Sequence, residues 1–141
     1  MSFQVEIQDA RALSNVSGRI IAKVQIVQGS NRGPVMSSSS VEEAENPKFS
    51  DAKFTMNLSN FDVNQASLSI DIMSGGESIG TAEVPLSNIL GGNIRKVVRL
   101  SGGYQSREAV VRIIASYIFD IGDKVKVDYE RTGKISRVYS S

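Results

Sequence analysis

The chain has 141 residues, with 16 basic and 15 acidic side chains that give a formal net charge of +1. This length suits one domain, and the near-neutral charge does not favour nucleic acid as a partner. Cysteine and histidine are both absent, which excludes disulfides, thiol nucleophiles, zinc-finger ligand sets and histidine-based catalysis. An enzyme is therefore the least favoured function class, and no cofactor is expected.

The first residues predict a strand, because Phe3, Val5 and Ile7 alternate with polar residues and so share one face of a sheet. A second strand is predicted over residues 18–29, where the denser apolar pattern is typical of a central strand. Residues 28–45 are rich in Gly, Pro and Ser and predict a long exposed loop, in which Val35 and Val41 leave room for a short edge strand. The four serines of this loop indicate either a phosphorylation site or a flexible spacer.

Five more strands are predicted, and their spacing of about 8–12 residues is typical of an antiparallel sandwich or barrel. They cover residues 53–58, 66–73, 80–86, 96–100 and 109–119. A helical turn is predicted over residues 87–90, with Ser87 as its N-cap and Gly91-Gly92 as its end. No run of about 18–20 apolar residues and no signal-peptide pattern is found, so we expect a cytoplasmic protein.

Two motifs stand in a fixed order around the strands at residues 53–58 and 66–73. The first is Asn46-Pro47 with Phe49, and the second is Ile79-Gly80 with Ala82, Val84 and Leu86. Their order resembles the C-terminal half of a C2 domain, and the resemblance covers about residues 2–119. It implies an all-β, eight-stranded antiparallel Greek-key β-sandwich over residues 1–119.

These motifs also have folding roles that any sandwich would select. Asn46 before Pro47 ends a loop, and its side chain is expected to bond the backbone of its own turn. Gly80 is expected to supply a backbone conformation that a side chain would forbid.

The best-known activity of C2 domains is calcium-dependent docking on anionic lipid, which needs about five Asp carboxylates from two loops. This sequence departs from that pattern. Asn15 and Arg19 stand in the first loop of the C2 pattern. Ser74 and Gly76 stand where an Asp-x-Asp is expected in the third loop, which is also several residues short. Glu77 is the remaining carboxylate. We therefore predict no metal site.

A cluster of basic residues late in the chain is a candidate patch for an anionic partner. It consists of Arg95, Lys96 and Arg99, with Arg107 and Arg112 on or near the next strand. A solvated strand face would look the same in the sequence, so both interpretations stay open. Lys23, Lys48 and Lys53 are partly cancelled by neighbouring glutamates.

Residues 120–141 extend beyond the predicted sandwich. Their sequence resembles the first two strands of a small Tudor or Agenet-like barrel, so the segment is either the start of a further module or a hairpin. A hairpin would place Val125, Val127, Ile135 and Val138 against the sandwich or a second subunit, because a lone two-stranded ribbon is marginally stable. A homo-oligomer through this extension is one expected outcome.

The function that these features favour is a noncatalytic, calcium-independent module for protein–protein binding or scaffolding, at the N-terminus of a larger protein. The alternative is calcium-independent recruitment to anionic phospholipid membranes through the basic patch.

Overall fold

The structure is a computed structural model, and it describes residues 1–42, 44–89, 94–103, 105–118, 124–126 and 137–139. The strands are β1 (Ser2–Arg11), β2 (Ile20–Gln28), β3 (Asn31–Arg32), β4 (Met36–Ser37), β5 (Lys53–Asn57), β6 (Ser67–Ser74), β7 (Glu77–Pro85), β8 (Ile94–Arg99), β9 (Val110–Ile118), β10 (Lys124–Lys126) and β11 (Arg137–Tyr139). No helix among the described residues is long and apolar enough to cross a membrane.

Two antiparallel sheets form the sandwich. The first sheet has the strand order β5-β1-β9-β8, and the second has β3-β2-β6-β7, with β4 also paired to β2. The chain moves from the first sheet to the second after β1 and again after β5, and it returns for β5 and β8. The predicted antiparallel sandwich with Greek-key connections is confirmed.

The core lies between the two sheets and follows from the alternation seen in the sequence. Phe3, Val5 and Ile7 point inward from β1, and Leu68, Ile70 and Ile72 point inward from β6, each with at most 1% of its surface exposed. Removing each such side chain from water stabilises the fold by about 1.5–3 kcal/mol.

The segment over residues 28–45 is more ordered than the predicted exposed loop. Arg32 pairs with Val27 and Met36 pairs with Val24, so β3 and β4 cover the same edge of β2. Gly33-Pro34 separates these two pieces, because proline has no N–H to continue the ladder. The one edge strand that the predicted eight-stranded sandwich would place beside β2 is thus present as two short strands, β3 and β4.

Three local predictions need correction. The Asn46 side chain accepts a hydrogen bond from the Ala12 N–H at 2.9 Å, which joins the turn to the end of β1 instead of to its own backbone. Gly80 does not have a positive φ; a Cβ there would lie 3.2 Å from the Gln105 side chain, so close approach selects glycine. The predicted helical turn is a 3-10 turn at Leu86–Asn88 with Ser87 inside it, and Gly91-Gly92 lies outside the described residues.

Candidate functional site

Three connections meet at one end of the sandwich, and we call them the loop cluster. They are residues 12–19 between β1 and β2, Gly75-Gly76 between β6 and β7, and residues 100–103 and 105–109 between β8 and β9. They meet because Ile20 pairs with Ser74 in one sheet and Arg11 pairs with Val110 in the other. The positions that correspond to C2 calcium loops belong to this cluster.

Ser74 joins the first two connections. Its hydroxyl accepts a hydrogen bond from the Ser17 N–H at 2.7 Å and donates one to the Ser17 carbonyl oxygen at 2.9 Å. Ser74 is 3% exposed. The hydroxyl therefore satisfies both backbone groups of Ser17, and its own donor is used.

Gly75 and Gly76 form the whole connection between β6 and β7. Both have positive φ, at 58° and 86°, as the central residues of a type I′ hairpin turn require. The Gly75 N–H donates to the Arg19 carbonyl at 3.1 Å, and a Cβ on Gly75 would collide with the Ser17 carbonyl oxygen. A turn this short and this close to its neighbour leaves little room to wrap a cation.

The third connection is held to the first by two amide side chains. Gln105 accepts a hydrogen bond from the Ser14 N–H at 2.7 Å and donates one to the Ser14 carbonyl at 2.5 Å. Asn15 donates to the Gly103 carbonyl at 2.8 Å. Sequence reasoning missed Gln105, because its partner is 91 residues away along the chain.

Arg19 points from the loop cluster to the serine run. Its guanidinium donates to the Ser40 hydroxyl at 3.0 Å and to the Ser40 carbonyl at 3.2 Å. Ser38 is buried and accepts a hydrogen bond from the Ala22 N–H, and Ser39 donates to the Asp51 carboxylate. These three serines are thus fixed by the fold and are not a free spacer.

Metal ligands are scarce in this cluster. Within the described part of the chain, no three Asp or Glu side chains are grouped so that they could hold a metal ion. Glu77 is exposed at the start of β7. The Ser74 hydroxyl and the Ser17 carbonyl oxygen already bond each other, whereas calcium takes six to eight oxygens.

The outer face of the four-stranded sheet holds most of the predicted basic patch. Arg95, Val97 and Arg99 are the outward residues of β8, and their partners on β9 are Ile114, Arg112 and Val110. Lys96 lies on the other side of β8, because it pairs with the buried Ile113. The two-residue period would have revealed this, since adjacent residues of a strand face opposite ways.

Arg112 is occupied by an ion pair. Its Nε donates to Asp9 Oδ1 at 2.7 Å, and its terminal nitrogen donates to Asp9 Oδ2. Asp9 is 5% exposed. The hydrogen bonds from Arg112 lower the pKa of Asp9 despite its burial, and the same bonds raise the pKa of Arg112. The pair belongs to the framework of the sheet.

The remaining cations of this face are spread out. Arg107 is exposed in the connection between β8 and β9, away from the strand face. Lys53 lies opposite Glu6, and Arg11 pairs with Val110 on the same face as Arg99. Asp9 faces a second arginine as well, because Arg11 Nε lies 3.9 Å from Asp9 Oδ1. The outward cations of β8, Arg95 and Arg99, form no ion pair with another described residue.

The C-terminal segment contains a short antiparallel pair. β10 pairs with β11, and Val125 lies opposite Val138. Val127 and Ile135 lie outside the described residues, as does the predicted turn. The hairpin's docking surface stays a prediction.

A cavity of about 250 Å³ lies at the opposite end of the sandwich and is lined in part by Met36, Met56 and Phe61. Its lining contains no carboxylate or lysine. Asp9, whose pKa is shifted, lies elsewhere, and Arg112 bonds both of its oxygens. A carboxylate with a lowered pKa is a weak base, and here both of its oxygens already accept hydrogen bonds, so Asp9 is poorly suited to act as a general base.

Comparison with known proteins finds solved structures with the same fold, but it finds no relative by sequence. No family model matches the sequence, and no curated protein matches it either. The first C2 domain of plant Extended Synaptotagmin 1 superposes with a TM-score of 0.68 and 11% identity, over 84% of this chain and 96% of that domain.

Two further structures are similar. A fragment of Extended-Synaptotagmin 2 that holds two C2 domains gives a TM-score of 0.66 and 16% identity over 82% of this chain, which spans 38% of the fragment. CC2D1B, which coordinates ESRCT-III activity during the mitotic reformation of the nuclear envelope, gives 0.66 and 11% identity, covering 82% of this chain and 54% of that one. Together with the two antiparallel sheets and their strand order, these superpositions show that the chain has the fold of a C2 domain.

Proposed function

We propose that this chain is a noncatalytic, calcium-independent C2-like module that binds other proteins. The observation that carries the proposal is the closed loop cluster, in which the Ser74 hydroxyl bonds both backbone groups of Ser17. Calcium-dependent docking requires open loops with several carboxylates. Here hydrogen bonds between the loops take up the oxygens that a cation would need.

Calorimetric titration tests the first part of the proposal. We expect no saturable heat when Ca²⁺ is added at millimolar concentration, and no change in melting temperature, because a ligand that binds only the folded state would raise it. A saturable isotherm with a raised melting temperature would contradict the proposal.

Membrane recruitment is the second candidate, and the basic outer face of the four-stranded sheet favours it. Each basic residue near an anionic surface contributes about 1 kcal/mol, so the two arginines of β8 that form no ion pair within the described part of the chain, Arg95 and Arg99, contribute about 2 kcal/mol. That energy corresponds to weak binding. No large apolar loop tip adds to it in the described part of the loop cluster, where Val16 is partly buried against the core.

Liposome flotation separates the two candidates. Vesicles that contain phosphatidylserine are mixed with the chain at low and at physiological salt. We expect weak flotation at low salt that disappears at physiological salt, since exposed charges are screened there. Flotation that persists at physiological salt, and that is lost in Arg95→Glu, would favour the membrane function over the protein-binding one.

A further inference from the structure

The free edge of β8 is the surface on which the structure offers the most specific chemistry for a partner. β8 is the last strand of its sheet and pairs with β9 alone among the described strands. An unpaired strand edge presents a row of backbone donors and acceptors that another extended chain can pair with.

The hydrogen-bond pattern identifies which residues form that edge. The Leu100 N–H donates to the Ala109 carbonyl at 2.9 Å, which makes Leu100 and Ala109 a hydrogen-bonded pair of the β8–β9 ladder. Hydrogen-bonded positions recur at every second residue of an antiparallel ladder. The N–H and C=O groups of Arg95, Val97 and Arg99 therefore point away from β9.

The next residue in this series shows that the edge can be paired. Ser101 exchanges backbone hydrogen bonds with Thr81 of β7, at 2.8 and 2.9 Å. From there toward Arg95, no described residue forms a backbone hydrogen bond with the outward groups of β8. The outward edge is thus paired with β7 at Ser101 and unpaired, among the described residues, from Arg99 to Arg95.

The side chains of the edge define the partner's chemistry. Val97 is 61% exposed, and Arg95 and Arg99 flank it on the same face. Neither arginine forms an ion pair with another described residue, because its partner on β9 is Ile114 or Val110. An apolar residue between two carboxylates would match this face.

A second copy of the chain fits this edge poorly. Antiparallel pairing of two β8 strands about Val97 would place Arg95 directly opposite Arg99 of the other copy, twice. Like charges that lie directly opposite each other destabilise a strand pair. Charge therefore favours an acidic partner over self-pairing.

We propose that β8 is a strand-addition site for an extended acidic segment of a partner protein, with carboxylates at the first and fifth positions and an apolar residue at the third. This inference rests on the proposed protein-binding function and specifies its surface. The partner's backbone pairs with Arg95, Val97 and Arg99, while its carboxylates contact the two guanidinium groups.

The test uses a synthetic peptide, Glu-Thr-Val-Thr-Glu with short flanking threonines, and a matched peptide with lysine in place of each glutamate. Binding is followed by backbone amide NMR and hydrogen exchange. We expect the acidic peptide to slow exchange at the Arg95, Val97 and Arg99 amides. The Lys96 and Val98 amides, already in the ladder, should change little, so the protection has a two-residue period that charge attraction alone would not produce.

Substitutions at the edge sharpen the test. Val97→Pro removes an outward N–H without removing a ladder bond, and it should weaken acidic-peptide binding about 10-fold or more. Val97→Thr keeps the N–H and is the control. Arg95→Glu with Arg99→Glu should reverse the preference toward the lysine peptide, whereas Arg107→Glu, a charge change in an exposed loop, should not.

Each outcome separates this inference from the proposed function. Two results would overturn strand addition at β8 and leave protein binding elsewhere intact. One is slowed amide exchange without the two-residue alternation, and the other is equal peptide binding by the wild type and Val97→Pro. Saturable calcium binding, or flotation at physiological salt, would instead contradict the proposed function. Self-association that Val97→Pro abolishes would replace the acidic partner with a second copy.

Discussion

The Asp9–Arg112 pair gives a stability prediction at the scale of single residues. The pKa of Asp9 is lowered below its ordinary value of 3.8, with the Arg112 hydrogen bonds as the main cause. A carboxylate with a lowered folded pKa contributes its full stabilisation above the unfolded pKa, and the contribution is lost as the pH falls through the folded pKa. We expect the melting temperature of the wild type to fall as the pH drops below about 4, partly for this reason.

Asp9→Asn tests this assignment. The substitution should lower the free energy of unfolding at pH 7 by about 1–3 kcal/mol, because the buried charge-assisted bonds are weakened. It should also lessen the dependence of the melting temperature on acidic pH. Glu6→Gln, on the same strand but half-buried, is the control and should change little. Equal effects of the two substitutions would contradict a special role for Asp9.

For single residues, the sequence predicted which side chains are buried better than it predicted which side chains bond each other. The alternation along β1 assigned Phe3, Val5 and Ile7 to the core correctly. The predicted patch includes Arg112, but nothing local in the sequence shows that this arginine pairs with Asp9, 103 residues away. The motif around Asn46 likewise shows nothing of its contact with Ala12, which lies on a distant segment.

At the scale of elements, the turn between β6 and β7 is where the loop cluster is most constrained. Gly75→Ala should destabilise the fold more than Gly76→Ala. Both replacements force a side chain to a positive φ, which costs about 1–2 kcal/mol, but only a Cβ at Gly75 meets the Ser17 carbonyl oxygen. Chemical denaturation of the two variants measures the difference, and equal destabilisation would show that the contact with Ser17 is unimportant.

The long strands were predictable and the short ones were not. β2, β6 and β9 have eight or nine residues each, which is enough to show a clear period. β3 and β4 have two residues each, which is too few to show a period, so the sequence predicts a loop there. The basic patch was also grouped by proximity along the chain, although Lys96 and Arg95 lie on opposite sides of one strand.

At the scale of the whole molecule, the sandwich should fold without residues 120–141. The buried core that the two sheets share runs from Met1 to Ala115, and the Tyr117 hydroxyl that donates to the Leu86 carbonyl also precedes the cut. Deleting residues 120–141 should leave the melting temperature within about 2 °C of the wild type, because strands β1 to β9 and the core between them remain.

The same deletion tests the predicted oligomer. Light scattering with size-exclusion chromatography should show a smaller species after truncation if β10 and β11 join subunits. A monomer both before and after truncation would remove the oligomer prediction. The domain boundary at residue 119, the cytoplasmic location and the Tudor-like or hairpin extension stay predictions.

The overall architecture was predictable because one period recurs in every long strand and two motifs fix their order. The partner was not, because recognition depends on which backbone groups of β8 remain unpaired, and a ladder of hydrogen bonds cannot be counted before the strands are placed.

The first pair of the β1–β9 ladder sets Ser2 opposite Ile118, so the chain enters and leaves the sandwich at neighbouring points. Tension applied through these two points pulls across the ladder, whose bonds run perpendicular to the strands. The hydrogen-bonded pairs of the ladder then break one after another, instead of sharing the load as they would if the strands were pulled along their length. A domain pulled at these two points should therefore unfold at low force.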